Sequence, residues 1–159
     1  MRNHLSRTKI TSYLISFALL GSAAGNVVAD DDEAAFEKEI EYRQGAMNIL
    51  SWNSKAIGNM LKGKTAYDAE KVKTHATDIA SVASLDLLAG FPEDSESEDS
   101  AALTDIWMDF EDFEQKMADF RNAASGLNTA AQSGDQAGVG NAMKDLGKSC
   151  KGCHKKYKN

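Results

Sequence analysis

Residues 105–127 read DIWMDFEDFEQKMADFRNAASGL, and within them Ile106, Phe110, Phe113, Met117, Phe120, Ala124 and Leu127 recur at spacings of three and four. At 3.6 residues per turn these side chains share one face and leave the acidic and amide residues on the other, so the stretch predicts an amphipathic helix beginning near Thr104 or Asp105. The same period runs through the rest of the chain. Phe36, Ile40, Met47, Leu50, Ile57 and Leu61 form a stripe that stops near Gly63. A second helix is expected over about Ala69 to Ala89, with Val72, Ala76, Ile79, Val82 or Ala83, and Leu87 facing inward. Asp68 is placed to cap its first amides, and Gly90 and Pro92 to end it. After the turn Ser133-Gly134-Asp135, Val139, Ala142, Met143 and Leu146 begin a helix that continues through Cys150 and Cys153.

Four helices with short connections bury four stripes most simply as an antiparallel bundle, so the expected class is all-α. Glu93 to Ser100 is acidic and serine-rich, which predicts a solvated loop with little apolar surface to offset ordering entropy. The loop lacks the glycine and ligand order of an EF-hand, which argues against calcium.

The first 29 residues read differently from the rest. Arg2, Arg7 and Lys9 precede a mostly apolar or small stretch from Ile10 to Ala24, and Val27-Val28-Ala29 leads into the acidic run Asp30 to Glu33. This predicts a cleaved secretory signal over 1–29, followed by one domain over 30–159 in the periplasm. The apolar stretch is shorter than the roughly 20 residues of a spanning helix, so a stable membrane anchor is not expected. All 24 acidic residues lie after residue 29, against 15 of the 18 basic ones, a formal charge near −9. Such a surface repels nucleic acid.

The chemistry lies at the other end. Cys150-Lys-Gly-Cys153-His154 is a CxxCH motif, which arises by chance in about one chain of this length per thousand at ordinary residue usage. It is the attachment pattern of a c-type haem. On a helix the three side chains fall within about 100° of one another, so two thioethers can hold the porphyrin edge while the imidazole reaches iron. A disulfide or a redox dithiol would leave His154 without a reason. A structural zinc site would need four ligands, and only His75 joins these three among the cysteines and histidines after residue 29. The expected cofactor is one covalently attached haem c on the C-terminal helix.

A terminal haem motif on a four-helix chain, with Tyr42-Arg43-Gln44 in the first helix, resembles the class II c-type cytochromes, the cytochrome c prime family in particular. Ala66-Tyr67-Asp68, Ile106-Trp107, Ser133-Gly134-Asp135 and the run from Cys150 to Tyr157 share in the resemblance. The resemblance implies that Cys150 and Cys153 form the thioethers and that His154 is the proximal iron ligand. It implies that Arg43 and Gln44 lie beside the haem and contact a propionate; from the residues alone they are a polar break in the stripe. Lys158 falls where relatives carry a basic residue near the proximal face, and alternatively belongs to a frayed basic terminus.

Met47 falls where the family points a side chain at the distal face. If it only packs there, iron is five-coordinate and high-spin and is open to small gases such as nitric oxide or carbon monoxide. If its sulfur coordinates, His/Met ligation gives a low-spin electron carrier. By pattern alone Met47 is core. His75 is expected as an exposed or flanking residue, and Trp52, Trp107, Phe110, Phe113 and Phe120 as core.

Lys148, Lys151, Lys155, Lys156 and Lys158 suit the negative end of a helix dipole, and alternatively form a collar that steers acidic redox partners. Relatives often form homodimers through their first two helices. No catalytic constellation is present, so a carrier rather than an enzyme is expected. The alternative from another class is a haem-free helical structural or metal-binding protein. Visible absorbance that stays with the denatured chain is the expected outcome; a colourless purified protein would support that alternative.

Overall fold

A computed structural model describes residues 36–159, so the secretory signal expected over 1–29 and the first residues of the domain expected over 30–159 lie outside the described residues. Four long helices form the antiparallel bundle: α1 (Glu37–Leu61), α2 (Ala69–Ala83), α4 (Phe110–Ser133) and α5 (Gln136–Tyr157), with a single-turn α3 (Asp105–Met108) before α4. The predicted cap at Asp68, the stop near Gly63 and the turn at Ser133-Gly134-Asp135 hold. Asp68 accepts from the amides of Glu70 and Lys71 at the start of α2, and Asp135 accepts from Ala137 at the start of α5. Gly63 and Gly134 take left-handed conformations (φ 70° and 75°) that end α1 and α4, where a Cβ would be strained.

The core is the meeting of the stripes. Ile57, Ile79, Phe113, Leu127 and Leu146 are all at most 2% exposed. Burial of each is worth roughly 1.5–3 kcal/mol relative to exposure. Phe113 packs edge-on against both Phe91 and Tyr157, at 4.9 and 5.2 Å between ring centroids.

Four expectations are corrected. The second helix ends at Ala83, and Leu87–Gly90 forms a separate 3-10 turn that still buries Leu87. The third stripe is not one helix: Asp109 (φ −140°, ψ 59°) breaks it between α3 and α4. Trp52 is 73% exposed, because it lies across the helix from Leu50, Asn53 and Ile57, which face inward.

The acidic loop is not simply solvated. Ser95 within it is fully buried, and the loop is held to α1 by Arg43. Its carboxylates stay outside while the Ser95 and Ser100 hydroxyls and the Ser95 carbonyl turn in to Arg43. Gly90 permits this approach, since a Cβ there would meet the Arg43 Cβ and the Tyr42 ring, both at 3.1 Å.

Candidate functional site

Arg43 occupies a stripe position, three residues after Ile40 and seven before Leu50, and is only 4% exposed. Its Nη1 donates to Gly90 O and Ser95 Oγ, both at 3.1 Å. Its Nη2 donates to Ser95 O (2.7 Å) and Ser100 Oγ (2.9 Å). The Phe91 ring lies 5.0 Å from the guanidinium carbon. Burial pushes its pKa down, yet guanidinium stays charged in proteins. Its Nε is buried and has no hydrogen-bond partner among the described residues. Gln44, one residue on, is exposed and donates to Asp99 O at 2.8 Å.

Beside this anchor lies a cavity of about 340 Å³ between α1 and α5, walled by the loop, α3 and α4. Of the seven residues the sequence singles out, Arg43, Gln44, Met47, Cys153, His154 and Lys158 line it. Cys150 does not, though it is half-buried and packs against the core as Cys153 does. The apolar wall comes from Phe91, Ile106, Phe113 and Met117. Met117 is legible in the sequence only as core, because period places a side chain on a face without saying what space that face borders, and Phe91 lies outside every stripe.

Both thiols are free, and burial pushes each pKa up, so neither is a ready thiolate. Desolvation and then the Lys158 ammonium hold the His154 imidazole below the ordinary histidine range, which favours the neutral form a metal needs. The donors suit a covalent haem: two thiols and an imidazole on one helix, an apolar cavity against Cys153 and His154, and a buried guanidinium N–H without an acceptor.

The C-terminal end of α5 is tightly pinned. Tyr157 Oη donates to Asp112 Oδ2 at 2.7 Å, while Lys156 Nζ bonds Asp109 at 2.6 Å and Asp112 at 3.0 Å. Leu103 N donates to Tyr157 O and Asn159 N to Ala101 O, forming a short antiparallel bridge around Ala102 and Lys158. His75 is half-buried, with Nδ1 2.7 Å from Asn53 Oδ1, so it helps fasten α2 to α1.

The lysine collar is thinner than its sequence suggests. Lys148 pairs with Asp145, Lys156 with two aspartates, and Lys158 Nζ donates to Asn159 O.

The sequence model of the family described as Cytochrome C' matches residues 38–158. The chain belongs to the cytochrome c' family. It is accordingly a monohaem c-type cytochrome that binds one covalent haem c. It is 38% identical over 130 residues to cytochrome c-554 of Cereibacter sphaeroides, covering 80% of this chain and 97% of that one. Among solved structures it resembles cytochrome c prime from Shewanella frigidimarina (TM-score 0.74, 41% identity, 77% of this chain and 94% of that). It also resembles a nitric oxide complex of a point mutant of cytochrome c prime from Alcaligenes xylosoxidans (TM-score 0.71, 30% identity, 77% and 94%).

Hydrogen bonds from Tyr157 and then Lys156 pull the Asp112 pKa down to about 2, below its ordinary value near 4. A depressed carboxylate stabilises the fold above its unfolded pKa and loses that contribution as pH falls through the folded one. Asp112→Asn is therefore expected to lower the urea midpoint at pH 7. The gap from the parent should close as pH falls from about 4 to about 2; a gap constant over that window would show that the carboxylate's charge is not what pins α5.

Proposed function

We propose that this cytochrome works in the periplasm, after removal of its leader, as a haem carrier rather than an enzyme. In this reading Cys150 and Cys153 form the thioethers and His154 is the proximal ligand. The observation that carries it is the cavity against the CxxCH turn, which gathers His154 and Met47 within one apolar wall. Bound haem supplies an iron that exchanges one electron and accepts small neutral gases.

The residues do the rest. Phe113, Ile106 and Met117 exclude water from the ring, which raises the cost of charge there and favours neutral ligands. Arg43 holds the loop as a wall, and its remaining N–H suits a propionate carboxylate; Gln44 and Lys158 stand at the same rim.

In the first reading Met47, half-buried on α1 at the cavity, would pack beside the haem without coordinating it, and the iron would stay open to nitric oxide or carbon monoxide. The nitric oxide complex of the Alcaligenes relative supports this reading. The second reading, with the Met47 sulfur as sixth ligand and electron transfer to redox partner proteins as the function, is favoured by the same placement, because a thioether lines the space that His154 lines.

The reduced spectrum separates them. A broad high-spin spectrum that Met47→Ala leaves unchanged, together with carbon monoxide binding, is the expected result. A sharp low-spin alpha band that the substitution abolishes would establish the second reading instead.

A homodimer through α1 and α2 belongs to the same proposal, supported by the exposure of Ile49 (49%) and Trp52 (73%) on α1. Sedimentation of the holoprotein should give a dimer that Trp52→Glu converts to monomer, whereas a parent that sediments as a monomer at micromolar concentration removes it.

A further inference from the structure

The face of α1 that carries Met47 continues through Ser51, Ser54, Gly58 and Leu61 at spacings of four and three, and the face of α5 that carries His154 runs back through Cys150, Gly147, Met143 and Gly140. The haem cavity takes one end of this seam. At the other end the two helices part around a second depression of about 600 Å³. The gap is built from absent side chains: a Cβ at Gly58 or Gly140 would meet nothing within 4 Å. Leu61 and Met143, both half-buried against the core, give it an apolar floor.

Its charge is opposite in sign to the net charge of the chain. Lys55, Lys62 and Lys144 line it, no carboxylate does, and none of the three ammonium groups forms an ion pair among the described residues. The collar near the haem motif is by contrast partly neutralised by Asp109, Asp112 and Asp145. On a chain of formal charge −6, a groove with three unpaired cations over an apolar floor is a local reversal of sign. Such reversals steer and orient partners of opposite charge. Met143 precedes Cys150 by seven residues, two turns or about 10 Å along α5. A partner seated here therefore lies about two turns of α5 from the haem-bearing turn.

We propose that this α1–α5 groove docks an acidic segment of the redox partner, with Asp or Glu carboxylates on Lys55, Lys62 and Lys144 and an apolar side chain between Leu61 and Met143. This rests on the electron-carrier part of the function proposed above.

The test uses the haem-loaded, isotopically labelled mature protein and a hexaglutamate peptide. Amide shifts are expected at 51–62 and 140–144, disappearing at high salt. The Lys55→Gln/Lys62→Gln/Lys144→Gln variant should weaken binding at least tenfold, while Lys151→Gln/Lys155→Gln leaves it within twofold. Shifts centred on 148–158, indifference to the triple substitution, or a response to anionic phospholipid vesicles without one to the peptide would each overturn the proposal. The two readings fail separately. Absent shifts in a protein whose iron cycles reversibly between oxidation states sink the groove alone; intact shifts in a protein whose iron does not cycle sink the electron carrier and hence the partner's identity.

Discussion

A positive charge inside a small bundle is the constraint around which the site end of this cytochrome is arranged. The Arg43 guanidinium is almost wholly withdrawn from water and has no carboxylate partner among the described residues. An uncompensated buried charge costs several kcal/mol, so its solvation has to be replaced by protein dipoles. The loop after α2 supplies them through two carbonyls and two hydroxyls, with aromatic faces of Phe91 and Trp107 at 5.0 and 5.9 Å. Those dipoles fix the path of residues 90–100, and that path forms one wall of the haem cavity. Trp107 adds a second tie, donating to Pro92 O at 2.6 Å, so α3 is set by the same loop.

The sequence made the bundle legible because four stripes obey one period and their ends carry recognisable caps. It hid the break at Asp109, because Ile106 and Phe110 continue the spacing of the helix that follows. What breaks the helix is tertiary: Asp109 turns its carboxylate to Lys156 and its carbonyl toward the Tyr157 hydroxyl on a distant helix. Trp52 was misjudged from residue type, although its angular position opposite Leu50 and Ile57 already put it in water. The loop was misjudged from composition. Acidic residues predict solvation on average, but the buried serine and carbonyls answer to Arg43, whose inward position at the stripe was the available sign.

Much of the candidate site could be named in advance, since CxxCH fixes cofactor chemistry in five residues and six of the seven singled-out positions border one cavity. The purpose of Arg43 was less accessible. The resemblance assigns it to a propionate, while four of its hydrogen bonds serve the loop and only Nε is left. These roles are compatible, because a guanidinium carries five donors. The lysines were hardest to read, since sequence cannot show which ammonium groups are already paired. Lys156 and Lys148 looked equivalent to Lys151, and their aspartate partners make them different.

The packing order of the helices has a kinetic side. α1 rests mainly on α2, α2 on α4, and α4 on α5, while α1 and α5 barely touch. Every major interface therefore joins long helices adjacent in the chain, so most of the bundle can assemble without the entropic penalty of joining its ends, the pattern of a fast-folding topology. The first and last helices meet at a seam that protein side chains scarcely close. The cavity opens on that seam, so a haem seated there would supply the contact between α1 and α5 that the polypeptide itself scarcely makes.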